Sequence, residues 1–329
     1  MTPDLDLSAL GIAVGHATDE AGGTGVTVVR GVNGPLRAGV ALFGRATGSR
    51  ELHTASAEHL VGGRIDAIML TGGSAYGLDA AAGVMRWMEE RGQGFNVGPG
   101  VVPIVPAAVV FDLLPFGRFD ARPTPQMAYE ACESAATKGI AEGSVGAGTG
   151  TTVGHLYGPA GAMKGGFGGA TITNGDGRVT VGAVAVVNAF GDVRDGDGLI
   201  IAGARARRGF ADMARVMLGS EIPPPAAFGE LKLKNTTLCV VASSVPLAAA
   251  SLTQLARAAG AALFRRITPV GTSFDGDVVF AVSPCEGEPS HLANLMIESL
   301  GVAALEQAIE RAVRTARGRD GIPGLADGY

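Results

Sequence analysis

Six stretches of this chain are apolar at nearly every position rather than at every second one. They are GVTVVR (25–30), DAIML (66–70), VTVGAVAVVN (179–188), GLIIAGA (198–204), TLCVVAS (237–243) and DVVFAVS (277–283). A strand with one wet face alternates; a strand that is apolar throughout is covered on both faces. The chain must therefore supply cover on both sides of its sheet, and helical stretches stand between the strands to do so. In 75–92, Leu78, Ala81, Ala82, Met85 and Met88 form one stripe, and Gly92 supplies the stop. In 124–139, Thr124 is the N-cap, Pro125 takes the first helical position and Gly139 follows the end. Two long amphipathic stretches, 246–267 and 290–318, complete the set, the second with a break expected near Gly301. Sheet enclosed by helices is the architecture that results. A length of 329 residues suits two domains or one large α/β unit.

Bulk properties remove several functions. Only 17% of residues are charged, the net charge is −5, and no basic stripe interleaved with aromatics occurs, so nucleic acid is not an expected partner. The low charge, 52 glycines and mean hydropathy of +0.28 fit buried sheet, tight turns and surface covered between subunits. The longest apolar run, 100–111, is short and carries two prolines, which is no membrane span. The first twenty residues are acidic and lack a basic segment followed by an apolar one, so a cytoplasmic protein is expected. Cys132, Cys239 and Cys285 form no CxxC pair; Cys239 reads as core filler, and neither disulfides nor a metal site is expected.

Several motifs invite a function and fail a chemical test. The Gly-rich stretch 143–158 has neither phosphate-loop spacing, and Thr151, Thr152 and Val153 point to a strand instead, so it reads as close backbone packing beside a site. TGGSAYG (71–77) has the strand–turn–helix setting of a nucleophile elbow, but Tyr76 stands where the second glycine belongs. Ser74 and Tyr76 are kept as pocket candidates at a helix N-terminus. Asp275 and Asp277 flank Gly276 before a strand, which by itself reads as a polar turn, with too few carboxylates for a calcium loop. Lys164 lies among small residues, and is either an ordinary surface lysine or one whose ammonium the backbone can approach closely. Asn188 ends an apolar strand as either a turn residue or an amide aimed at an oxyanion.

Asn235-Thr236-Thr237 stands at the head of an apolar strand. It matches a glycosylation sequon, which needs secretion. The other reading is chemical. A threonine hydroxyl can attack the carbonyl before it, and hydrolysis of the resulting ester frees a threonine α-amine. Such an amine, with a pKa of about 7.7–8.0, is a general base on the same residue as the nucleophile. The preceding stretch 203–235, with its basic cluster and Pro223-Pro224-Pro225, reads as a flexible linker delivering the chain to Asn235.

NTTLCVVAS, FDGDVVFAVS, AVVNAFGD, GGSAYGLDAAAGV and VGHATDEAGGTGVTVV together resemble the self-processing L-aminopeptidase/D-Ala-esterase-amidase family. That family includes β-peptidyl aminopeptidases and nylon-oligomer hydrolases. The resemblance covers nearly the whole chain, and the pairing of Asn-Thr-Thr with Asp-Gly-Asp looks most like the nylon-hydrolase branch. It implies an αββα four-layer sandwich of the N-terminal-nucleophile type, cut between Asn235 and Thr236 into an α chain (1–235) and a β chain (236–329). By the same resemblance Thr236 is the nucleophile, and Asp275 and Asp277 orient it and tune its amine. Lys164 offsets their charge, Asn188 donates to the oxyanion, and Tyr76 lines the pocket. It implies no metal or organic cofactor, a small linear amide or peptide substrate, and a homo-oligomer (a tetramer of processed αβ heterodimers). Two rivals remain: an acyltransferase like the ornithine acetyltransferases, and a non-catalytic oligomeric protein with an anion site in its Gly-rich loops.

Overall fold

Two sheets stack face to face, and each carries helices on its outer side. The computed structural model describes residues 4–113, 118–219, 235–290 and 294–328. The first sheet runs Ile12–Asp19, Thr24–Gly31, Ala67–Thr71, Ala107–Val109, Ser49–Arg50. The second runs Gly166–Thr173, Thr180–Asn188, Thr236–Ser243, Val278–Pro284, Leu36–Leu42, Arg64–Ile65.

Alternate side chains of each central strand enter different cores. Leu238, Val240 and Ala242 join Val184, Val186, Val278 and Phe280 against Ile68 and Leu70 of the first sheet. Cys239 and Val241 face the other way, onto Leu252, Leu255, Leu305 and Ile309 of the helices Ala249–Ala259 and Asn294–Arg314. The first sheet turns Val26, Val28 and Met69 toward Val84, Met88, Ala128 and Ala131 of Ala81–Glu89 and Pro125–Glu133. With apolar cores on both faces, a strand such as TTLCVVAS has no reason to alternate. The four layers are those of the αββα expectation. Among the described residues no helix is long and apolar enough to cross a membrane.

Local signals held best at caps. Thr124 Oγ1 accepts from Met127 N at 3.3 Å, with Pro125 at the first helical position. That helix stops at Glu133, short of Gly139. The stretch 75–92 opens as a 3-10 turn, Ser74–Ala80, before becoming α-helical. The stretch 246–267 divides into Ala249–Ala259 and Ala261–Arg266, and Gly260 between them lies against the ring of Phe43. No break occurs at Gly301: Asn294–Arg314 is one helix. A Cβ at 301 would stand 2.8 Å from Leu255 Cδ1, so this glycine answers to packing.

The strands Ile12–Asp19, Leu36–Leu42 and Gly166–Thr173 have too many polar or glycine positions for an apolar-run search to detect. In the last, a Cβ at Gly168 would meet Ala312 N at 2.3 Å, so the glycines admit a helix backbone. The linker expected at 203–235 is folded in its first half. Ala204 and Met213 pack with Leu156 and Phe190, and the Asp192 carboxylate accepts from Ala204 N and Met213 N, both at 2.7 Å. Those buried contacts hold the backbone of 203–219 and its helix Met213–Leu218. Residues 220–234, with the triple proline, lie outside the described residues.

Candidate active site

Three strand ends meet at one edge of the second sheet. Thr236–Ser243 and Val278–Pro284 are parallel, so their N-terminal ends lie side by side and bring Asn235-Thr236 next to Asp275-Gly276-Asp277. Asn235 forms a bridge with Asp275. Thr180–Asn188 is antiparallel to the first, so its last residue, Asn188, pairs with Thr236. Asn188, Asn235, Thr236, Asp275 and Asp277 are all buried.

The peptide carbonyl of Asn235 receives two donors. Thr236 Oγ1 donates to it at 2.6 Å and Gly276 N at 3.0 Å. The threonine hydroxyl thus lies on the carbonyl of its own peptide bond, and a backbone N–H polarises the same oxygen. Neighbouring carboxylates hold the surrounding backbone. Asp277 Oδ1 accepts from Thr237 N at 2.7 Å, and its Oδ2 from Gly271 N at 3.2 Å. Asp275 Oδ2 accepts from Thr272 N at 2.8 Å and Thr272 Oγ1 at 2.7 Å. Burial raises both carboxyl pKa values, and the charge of Asp275 adds to the rise at Asp277. One of these contacts, Asp277 to Thr237 N, reaches the backbone directly after Thr236.

Lys164 is fully buried, and Nζ donates to the carbonyls of Thr149 and Thr151, each at 2.7 Å. The Gly-rich stretch therefore presents carbonyls to a cation here. Burial brings the lysine down to about 7, the Arg319 cation adds to the fall, and Asp112 is the carboxylate that most opposes it. Asn188 Oδ1 accepts from Thr152 N at 3.0 Å, and its Nδ2 donates to Phe111 O at 3.4 Å. Ser74 and Tyr76 stand one loop away. Ser74 has a left-handed backbone, with φ of 51°, and its N donates to Val110 O at 3.0 Å. Tyr76 is half exposed, with the Arg122 guanidinium 3.5 Å above its ring.

Two residues escaped sequence reasoning. Asp112 is buried and accepts from Thr24 Oγ1 and Gly73 N, each at 2.6 Å, which ties the GGSAYG turn to the lysine's surroundings. Burial lifts it to about 6. The usable signal was a carboxylate directly after the apolar run PIVPAAVVF. The other is His155, bonded to the side chain of Asn235.

A threonine hydroxyl laid against its own peptide carbonyl, two buried carboxylates and a buried lysine are groups that amide-bond chemistry can use. Residues 8–324 match the family described as peptidase family S58.

The chain belongs to peptidase family S58.

Relatives named as aminopeptidases and as 6-aminohexanoate-oligomer endohydrolases match it. An uncharacterized aminopeptidase of Mycobacterium leprae is 40% identical, with 95% of this chain and 91% of the relative covered. A 6-aminohexanoate-oligomer endohydrolase of Agromyces is 29% identical, covering 84% of this chain and 74% of that protein. Among solved structures, the L-aminopeptidase D-Ala-esterase/amidase of Ochrobactrum anthropi, described as a variant of the Ntn-hydrolase fold, superposes with a TM-score of 0.72. The identity is 21%, over 97% of this chain and 88% of that one. A β-aminopeptidase of Burkholderia gives 0.70 at 22% identity, covering 96% and 88%. This S58 chain has the Ntn-hydrolase fold and is a hydrolase of peptide or amide bonds.

Proposed function

We propose that this S58 chain cuts itself before Thr236 and then uses Thr236 as an N-terminal nucleophile on small linear amides. The observation that carries this reading is the 2.6 Å contact of Thr236 Oγ1 with the Asn235 carbonyl oxygen, which Gly276 N also holds. In the first step Oγ1 bonds to the Asn235 carbonyl carbon, the C–N bond breaks, and the hydroxyl proton passes to the Thr236 nitrogen. An ester and a free amine result. Gly276 N–H sits where the oxyanion forms. Water then splits the ester, leaving the Asn235 carboxylate and a threonine with both hydroxyl and α-amine.

In turnover the amine takes the Oγ1 proton as the hydroxyl attacks a substrate carbonyl, and passes it to the departing amine. Water, activated by the same amine, releases the acyl group as an acid. The Asp275–Asp277 pair supplies negative charge beside the amine and holds the backbone, and Asn188 and the Lys164 region complete the pocket. Substrates are short peptides cleaved at their N-terminal residue, amino-acid amides, or 6-aminohexanoate oligomers. The aminopeptidase names at 40% identity favour the first two.

The test incubates the protein with each substrate class, with and without an excess of a free amine, and follows products by mass spectrometry. Free acid as the main product in both conditions is expected. Acyl transfer to the added amine with hydrolysis suppressed would make the chain an acyltransferase.

Gly276 offers a structural check. A Cβ there would lie 2.9 Å from Thr236 Oγ1 and 2.8 Å from Ala46 O. Gly276→Ala therefore crowds the nucleophile itself, at a cost of about 1–3 kcal/mol. Self-cleavage followed on a denaturing gel should slow on the order of 10-fold or more. Cutting at the parent rate would show that the space beside Thr236 Oγ1 does not limit the reaction.

A further inference from the structure

The side chain of Asn235 does not end in solvent. Its amide is hydrogen-bonded to His155 Nδ1, and His155 Nε2 is 2.7 Å from Thr152 Oγ1. The imidazole is buried, and its backbone N donates to Phe190 O at 3.1 Å. Thr152 N in turn donates to Asn188 Oδ1 at 3.0 Å. One run of polar contacts thus joins the side chain before the scissile bond to the amide beside Thr236. As placed, Asn235 Nδ2 is buried with no partner. Turning the amide over lets Nδ2 donate to His155 Nδ1, and the imidazole then donates from Nε2 to Thr152 Oγ1. A neutral imidazole suits this place because it accepts at one end and donates at the other, on a rigid ring.

The scissile peptide needs an anchor on its acyl side. The strand from Thr236 onward fixes its amine side, and Gly276 N–H fixes its oxygen. A carbonyl held at its oxygen alone can still pivot. The Asn235 side chain is the remaining handle, and His155 holds it.

We propose that His155 is a positioning residue for self-cleavage: by holding the Asn235 side chain, it sets the carbonyl face that Thr236 Oγ1 attacks. The proposal rests on the nucleophile assignment above, and it accounts for an asparagine at 235. Alanine there would remove the side-chain contact with Nδ1, and aspartate would bury a charge.

The test follows cutting of freshly synthesised full-length chain over time on a denaturing gel. A misplacement of about 1 Å at a reacting centre costs on the order of 10²-fold, so His155→Ala should slow cutting by about that factor. His155→Asn, whose amide reaches the place of Nδ1, should restore most of the rate. Asn235→Ala should slow cutting comparably, and the double variant should be no slower than the slower single variant, because both remove one interaction. A purely structural role would give neither the rescue nor the coupling. If His155→Ala loses its cooperative thermal transition, His155→Gln, whose amide lies one carbon too far out, takes its place in the cycle. Cutting of His155→Ala at the parent rate overturns the proposal, as does equal slowing in both Asn235 backgrounds. Thr236→Ala run in parallel separates the two readings: if that chain is still cut after residue 235, the nucleophile assignment falls. If it is uncut while His155→Ala behaves as the parent, only the role of His155 falls.

Discussion

Thr236→Ala is expected to give a single species of 33.0 kDa with no amidase activity, where the parent gives two. Dividing 33.0 kDa by length at residue 235 of 329 places the parent bands at about 24 and 9 kDa, the smaller beginning Thr-Thr-Leu-Cys. The expectation is all-or-none because one oxygen serves both reactions. Thr236 Oγ1 is the atom on the Asn235 carbonyl, and without it there is neither ester nor free amine. The fold should tolerate the change. Thr236 is the first residue of its strand, and the core of that strand is built from Leu238 onward. Thr236→Ser keeps the hydroxyl and should still cut, since the loss of one methyl leaves the attacking atom in place. Denaturing gels with N-terminal sequencing read both variants. A 33 kDa parent that is never cut yet hydrolyses amides would sink the mechanism.

The same strand shows what the sequence could and could not disclose. TTLCVVAS reads as doubly covered from composition alone, and the structure gives it a core on each face. The meeting of Thr236 with Asp275 and Asp277 came from the family resemblance alone, because the parallel, level start of their two strands is a register that no residue pattern announces. Asn188 was legible as the polar end of an apolar strand. His155 was not, because its meaning lies in a contact with Asn235 eighty positions later, and GHLYG has no periodic pattern. Lys164 was singled out for the small residues around it, and its ammonium does meet backbone, the carbonyls of Thr149 and Thr151; the charge balance with Asp275 and Asp277 came from the resemblance. The continuous helix through Gly301 was missed. A glycine looks like a break until the Leu255 side chain opposite it is known.

Asp277→Asn should separate function from stability. Its carboxyl is raised from 3.8 to about 7, by burial first and by the charge of Asp275 second. In the unfolded chain that group ionises near 3.8, so between that pH and about 7 the folded state holds the extra proton. The contribution of this carboxyl to stability is therefore greatest below the unfolded value, falls as pH rises toward about 7, and stays at its low level above. Asparagine carries no such dependence. It can still accept from Thr237 N, but its amide group meets Gly271 N–H, another donor, in place of Asp277 Oδ2. The comparison belongs in the Thr236→Ala background, so that both chains are expected uncut. There the thermal midpoint of the chain with Asp277, minus that of Asp277→Asn, should decrease by a few degrees between pH 5 and pH 8 and change little beyond. A difference that does not vary with pH would show that Asp277 titrates normally. In the background with Thr236 intact the outcome reverses in value: self-cleavage and kcat/KM should both fall, on the order of 10²-fold, because the backbone beside the nucleophile loses its anchor. A carboxylate that costs the fold stability at neutral pH and is still required for the reaction is what a catalytic assignment demands. Stability and activity moving in the same direction would make it a structural one.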